Sequence, residues 1–243
     1  MTESAPVLLR KLTRREFRQR MSAGALQACI IPIGAVEQHL EHLAMEHDWW
    51  SVCHVAEAVA RRLSPRVLVA EGVMVGISEH HMSHPGTLTL RPGTFLAVLE
   101  DLIDSVVRAG FPNVLVLNGH GGNIGPCRAV WDQFQRRARV NLHFLSYFDV
   151  LTQEDARDLL HSGHELPVHL PGHAQEFETS FALAAFPENV RTDMWKDQPD
   201  QTPSLASPER GRQFITRIVD RVGDYVADMI DGRRVEAIPA CFP

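Results

Sequence analysis

The apolar run Ala28-Cys29-Ile30-Ile31-Pro32-Ile33 ends at Gly34, and Glu37-Gln38-His39-Leu40-Glu41-His42 follows, with Asp48 just downstream. An unbroken apolar run of this length, with a proline near its end, reads as a short buried strand. Carboxylates and imidazoles crowded at a strand end lose solvation on burial that they cannot recover without partners. A divalent metal is the simplest neutraliser. The chain is therefore constrained to bury this strand and to bring further ligands to its end from elsewhere.

The remaining pattern alternates. Val52, Val55, Ala56, Val59 and Leu63 recur at helical spacing over Ser51 to Leu63. Arg66 to Ile77 reads as a strand with a glycine-broken extension. Thr94 is placed to cap a helix with Phe95, Val98, Leu99, Leu102 and Val106 on one face, closed by Gly110. Asn113 to Leu117 is the clearest buried strand and ends in Asn118-Gly119-His120-Gly121-Gly122-Asn123. A helix containing Val130 and Phe134 follows, then a strand from Leu142 to Phe148. Glu176 to Phe186 reads as helix, residues 188–207 as a long surface loop, and Ser207-Pro208-Glu209 as the start of a C-terminal helix reaching about Asp231. Alternating helices and nearly unbroken apolar strands predict a mostly parallel α/β sheet covered on both faces, in one domain spanning residues 1–243.

Composition narrows the function. A net charge of -6 argues against a nucleic-acid partner, since phosphates need a basic face. No apolar run approaches membrane-spanning length, and Arg10, Lys11, Arg14 and Arg15 follow the polar N-terminus without an apolar signal core. The expected location is cytoplasmic. Four cysteines, Cys29, Cys53, Cys127 and Cys241, are scattered without a CxxC pair, which argues against a disulfide framework or a cysteine zinc site. Histidine is the unusual count, at 13.

Ligands in open α/β sheets gather outside the carboxyl ends of the strands. Glu37 and His39 follow the first strand, and His120 follows the Asn113–Leu117 strand. Gly172-His173-Ala174-Gln175-Glu176-Phe177-Glu178-Thr179-Ser180 lies where a loop enters a helix and offers another imidazole and carboxylate. Glu37 and His39, two apart, point to one side of an extended backbone. Asp48 can loop back and bridge two metals through its two oxygens. Two metals held roughly 3.5–4 Å apart can polarise a carbonyl and lower the pKa of water between them. Mixed nitrogen and oxygen ligation favours zinc, manganese or iron. Gly119, Gly121 and Gly122 allow positive φ and close approach, suiting a turn that aims His120 into a cleft and frees amides for an oxyanion. They would also suit a phosphate, but there is no GxxxxGK[ST] and no nearby lysine.

Plainer readings exist for each residue. Asp48 can cap the following helix. His42, His47, His80, His81, His84, His161, His164 and His169 are open between pocket and surface. Trp49 and Trp50 read as core or subunit interface, and Cys53 and Cys127 as small buried hydrophobes.

Pro32-Ile33-Gly34-Ala35-Val36-Glu37-Gln38-His39, Asp48, His84-Pro85-Gly86-Thr87, Asn118-Gly119-His120-Gly121-Gly122-Asn123 and His173 with Glu178-Thr179-Ser180 resemble the creatininase (creatinine amidohydrolase) family, in the family's order from residue 32 to residue 180. The resemblance implies a three-layer α/β/α sandwich, two divalent metal ions, zinc or manganese with iron also compatible, and hydrolysis of amide-type bonds. It implies a small-molecule substrate, no nucleic-acid or membrane partner, and a homo-oligomer, hexameric in creatininase itself. Position by position, Glu37 and His39 resemble ligands of different metals, Asp48 the bridging aspartate, His120 the histidine ligand of the glycine-rich turn, and Glu178 the remaining ligand. His173 resembles the general acid/base, and His84, Gly121 and Gly122 are expected to contact substrate. Creatininase has Tyr-Glu where this chain has Gly121-Gly122, and Glu where it has Gly172, which argues against creatinine. Leu40-Glu41 replaces the common Gly-Pro, and Gln175 replaces a glycine after the loop histidine. The expected activity is C–N hydrolysis of a small polar cyclic amide or formamide. The alternatives are ring-opening hydrolysis of a cyclic keto-polyol of keto-inositol type and a non-catalytic metal-binding scaffold.

Overall fold

Ala28–Ile33 forms the first strand, β1, with all six residues buried. The computed structural model describes residues 6–161 and 170–236, so His164, His169 and Cys241 lie outside the described residues. Three more strands complete the sheet: β2 (Val67–Val69), β3 (Asn113–Asn118) and β4 (Asn141–Ser146). Their order is β2-β1-β3-β4 and every pairing is parallel. Ala28 lies opposite Asn113 and Ile33 opposite Asn118, so β1 and β3 end level with each other.

Side chains of β1 alternate between two cores, as a strand buried on both faces requires. Ala28 and Ile30, with Leu115 and Leu117 of β3, pack on α2 (His47–Arg62), α5 (Gln153–Leu159), α6 (Glu176–Ala185) and α7 (Pro208–Ile230) through Val52, Val55, Ala156, Phe177, Phe181 and Ile218. Cys29, Ile31 and Ile33, with Val114 and Val116, meet α3 (Pro92–Arg108) and α4 (Gly121–Ala138) through Phe95, Leu99, Cys127 and Phe134. The short α1 (Arg14–Ser22) adds Phe17 and Met21 to this second core. The result is the expected three-layer α/β/α sandwich. Among the described residues no helix is long and apolar enough to cross a membrane, and Cys29, Cys53 and Cys127 are free thiols.

This topology positions the site. The connection after β1 runs over one face through α2, whereas those after β2 and β3 run over the other through α3 and α4. The chain leaving β1 and the chain leaving β3 therefore diverge between neighbouring strands, which opens a crevice at their carboxyl ends.

Several element boundaries differ from the sequence expectation. Helix α2 begins at His47 rather than Ser51, because His47 and Asp48 are polar yet buried and so hide from an apolar count. The Arg66–Ile77 strand shrinks to Val67–Val69. Pro32 has no N–H to continue the ladder, and beyond Ala70 the chain keeps only scattered bonds to β1, such as Val73 N to Pro32 O at 3.1 Å. Helix α3 starts at Pro92 after Arg91, not with Thr94 as its cap, and Val98 faces solvent. The strand expected over Leu142 to Phe148 runs from Asn141 to Ser146 and gives way to a 3-10 turn over Tyr147–Val150. Residues 188–207 are not a plain surface loop. They contain short 3-10 turns over Thr192–Asp197 and Thr202–Leu205, and Gln198 is buried.

The crevice is stitched by one amide. Buried Asn123 donates to Gly34 O at 3.1 Å and to Asn118 Oδ1 at 3.2 Å, and its Oδ1 accepts from Ile77 N at 3.0 Å. It joins the segments after β1, β2 and β3. Asn123→Ala would leave the Gly34 carbonyl and the Ile77 amide unpaired, at about 1–3 kcal/mol each. We expect a loss of about 3 kcal/mol in urea unfolding. A loss below about 1 kcal/mol would contradict this role.

Candidate metal centre

Glu37 and His39 follow the end of β1, both buried, and their ligand atoms lie within 4.8 Å of each other. Asp48 enters from the second position of α2. The helix cap, Glu46, makes no side-chain bond to the helix, and the Asp48 carboxylate turns to imidazoles instead. Its Oδ1 lies 3.1 Å from His39 Nε2, and its Oδ2 lies 2.9 Å from His120 Nδ1. His120 is the cap residue of α4, delivered by the end of β3. Glu178, in the first turn of α6, brings Oε2 within 3.8 Å of His39 Nε2. All five residues are buried.

Each imidazole is oriented through its second nitrogen. His39 Nδ1–H donates to Glu37 O at 3.0 Å, which directs Nε2 at Asp48 and Glu178. His120 Nε2–H donates to Ile77 O at 3.0 Å, which leaves Nδ1 facing Asp48 and, at 3.4 Å, Glu37 Oε1. A backbone partner of this kind fixes the tautomer of a metal-binding histidine. Three clusters follow among the described residues, each with ligand atoms within 4.8 Å of one another: His39, Asp48 and Glu178; Glu37, His80 and His120; and Glu37, His39 and His173.

The electrostatics record the cost of this crowding. Burial pushes the Glu178 carboxyl up to about 8 and also raises that of Glu37. Burial would lower the His39 imidazolium, but the charge and hydrogen bond of Asp48 outweigh it and raise it to about 10. Glu37 Oε2 is buried with no hydrogen-bond partner among the described residues. Among the described residues no lysine or arginine pairs with Glu37, Asp48 or Glu178. Buried carboxylates held this way suit a cation.

His173 stands over the centre, half-buried, its ring 4.6 Å from that of His39 and its Nδ1 3.8 Å from Glu37 Oε1. Burial, and then the neighbouring His39 charge, lower its imidazolium to about 3, so the ring is neutral at pH 7. Its Nε2 accepts a 2.8 Å hydrogen bond from the Gln38 amide, which also donates to His81 Nδ1 at 3.0 Å. Gln38 Oε1 accepts from Leu40 N, which sets the direction of the amide. Gln38 is thus a site residue that sequence reasoning missed, and His81, left open between pocket and surface, lies in the pocket. The signal for Gln38 was its place between two ligands. His81 stacks on His173 at 4.4 Å, whereas His84 is exposed at the rim, 6.2 Å from the His81 ring.

The glycine-rich turn differs from its expected conformation. Neither Gly119, Gly121 nor Gly122 has positive φ. Gly119 and Gly122 serve close approach: a Cβ on Gly119 would lie 2.6 Å from Asp48 O, and one on Gly122 would lie 2.5 Å from His120 Nε2. Gly121, with open space around it, and Gly122 form the first residues of α4 beside the centre. Beside the centre, the non-glycine residues with left-handed backbone are Leu40, with φ 55°, and Ala174, with φ 54°. His42 and His47 lie deeper: His42 bonds Thr179 and Gln198, while both ring nitrogens of His47 lack hydrogen-bond partners among the described residues. His161 contributes its backbone N–H to Glu176, away from the centre.

Fold and site together define a hydrolase of α/β class built around a carboxylate and imidazole centre. The Creatininase family (creatinine amidohydrolase) matches residues 10–204, and the chain belongs to that family. Creatinine amidohydrolase of Pseudomonas putida is 29% identical over 210 residues, which is 82% of this chain and 79% of that protein. A 3-dehydro-scyllo-inosose hydrolase of Thermotoga maritima is 29% identical over 77% of this chain but only 59% of its own length. A mycofactocin precursor peptide peptidase of Mycobacterium tuberculosis is 27% identical over 86% of this chain and 79% of its own length. The crystal structure of creatininase superposes with a TM-score of 0.81 at 25% identity, covering 93% of this chain and 99% of that one. Creatininase also has a manganese structure, at TM-score 0.80 and 25% identity over the same shares.

If this cluster takes up a divalent cation, protons must leave it, because ligands bind in their deprotonated forms. Glu178, with its carboxyl near 8, is mostly protonated at pH 7. Zinc titration of metal-free protein by calorimetry in two buffers of different ionisation heat should show net proton release, with apparent affinity falling as pH drops below 8. Binding without proton release would contradict the cluster as ligand set.

Proposed function

We propose that this chain hydrolyses the C–N bond of a small polar amide, cyclic or formamide-like, at a pair of divalent ions. The observation that carries the reading is Asp48, whose two oxygens face two different imidazoles, each backed by its own carbonyl. Glu37, Asp48 and His120 would hold one ion, and His39, Asp48 and Glu178 the other. The unpartnered Glu37 Oε2 and the raised Glu178 carboxyl fit this role. Zinc, manganese or iron suits the mixed donors. Bound there, such ions polarise a carbonyl and make water nucleophilic near neutral pH.

The chain's own groups then divide the work. His173, neutral and partly open to the crevice, would release the Gln38 amide to take a proton at Nε2 during attack and return it to the leaving nitrogen. Gln38 holds that ring in one tautomer. The first amides of α4, at Gly121 and Gly122, would donate to the charge that develops on the carbonyl oxygen. His84 sits at the rim, where it can meet substrate. Relatives named for creatinine and peptide cleavage both act on amide bonds, which supports C–N hydrolysis over ring opening of a keto-inositol. Gly121-Gly122 and Gly172 favour a substrate other than creatinine.

The test is turnover of a panel of cyclic amides, N-formyl compounds, short peptides and cyclic polyol ketones, with products weighed by mass spectrometry. His173→Ala should lower kcat by about 10²–10⁴ while metal content stays unchanged. Equal turnover by His173→Ala would remove that residue from the chemistry, and carbon–carbon cleavage of a ketone alone would favour the ring-opening alternative.

A further inference from the structure

We propose that His80 is a metal ligand, completing the coordination of the ion held by Glu37 and His120; this rests on the two-ion reading above. His80 is exposed and lies on the 3-10 turn Glu79–His81. It nonetheless brings a ring nitrogen into the same 4.8 Å cluster as the buried Glu37 and His120. Its ring lies nearly parallel to that of His120, 15° apart with centroids at 5.8 Å. A solvated surface histidine has no need to meet a buried imidazole and a buried carboxylate together.

The turn carrying His80 is anchored to the centre rather than free. Ile77 O accepts from His120 Nε2, Ile77 N donates to Asn123 Oδ1, and Ser78 N donates to Thr89 Oγ1 at 2.9 Å. The backbone leading into His80 is thus tied to the ligand beside it. Gly122 supplies the complement. A Cβ there would stand 3.0 Å from His80 Cε1 as well as 2.5 Å from His120 Nε2. Absence of a side chain at 122 leaves the ring of His80 room to approach.

An imidazole donor has a chemical consequence. It is neutral, so it adds a ligand without adding negative charge to a centre already bearing Glu37, Asp48 and Glu178. The bound ions keep more of their charge, which strengthens their hold on an anionic group. Imidazole also suits zinc or iron better than manganese or magnesium, which prefer oxygen donors.

The test uses the full chain, stripped by chelator and reloaded with zinc in competition with a chromophoric chelator. Zinc-edge X-ray absorption then counts imidazole ligands. We expect wild type to bind two zinc ions. His80→Ala and His80→Gln should each weaken one of them by about tenfold or more, spare the other, and lose one imidazole per chain. Glu79→Ala, on the same turn, should change neither readout. Two ions with affinities and imidazole count unchanged in both His80 variants would overturn the proposal and leave the two-ion reading standing. Failure of wild type to bind zinc at all would overturn both.

Discussion

The structure turns on the carboxylate of Asp48, buried between two imidazoles that reach it from different strands. His39 arrives from β1 and His120 from β3, and each is aimed by a carbonyl behind it. Glu37 and Glu178 close the cluster without any lysine or arginine pairing to them among the described residues. Concentrating acid in a buried space opposes folding unless something positive arrives. That debt explains why the site sits where the main chain diverges. Only there do two neighbouring strand ends and the start of a helix converge without blocking access.

The scaffold around the cluster is built to hold it. Asn123 ties the segments leaving β1, β2 and β3 into one rim. Gly119 lets α2 pass close enough for Asp48 to reach across. Two non-glycine residues accept left-handed backbone, Leu40 beside His39 and Ala174 beside His173. Each such residue costs about 1–3 kcal/mol, and both have a local return. Leu40 N donates to Gln38 Oε1 and so sets the side-chain amide that clamps His173. Ala174 N donates to Glu178 Oε2 at 2.6 Å, steering that carboxylate towards His39. Strain is spent at the positions where direction matters most.

Much of this was readable from sequence, for physical reasons. Strands β1 and β3 are buried on both faces, so their apolar runs stand out. The residues that follow them, Glu37, His39 and His120, are conspicuous because charge rarely sits beside such runs. Asp48 and Glu178 were legible through order along the chain, and the structure brings both to the centre. Legibility failed where tertiary contact replaced local pattern. His47 and Asp48 face the centre from a helix that an apolar count begins at Ser51. Strand β2 is cut short by a proline in its neighbour, a cause invisible within residues 66–77. Gln38 reaches His173 through a hydrogen bond across 135 residues of chain and His81 stacks on it across 92, and no periodicity encodes such pairs. Gln198 reaches inward to His42 from a segment whose prolines and polar residues read as surface.

Membership of the creatininase family sets the chemistry's general type, and histidines line the rim of the site. Gly121 and Gly122 open the space beside His120, and His80 and His81 occupy the turn that faces it. Crystals grown with zinc, with diffraction recorded on both sides of the zinc edge, test the central claim most directly. The account predicts two anomalous peaks bridged by Asp48, one beside Glu37 and His120 and the other beside His39 and Glu178. Peaks elsewhere, or density at the five side chains that shows them bonded only to one another and to water, would contradict it.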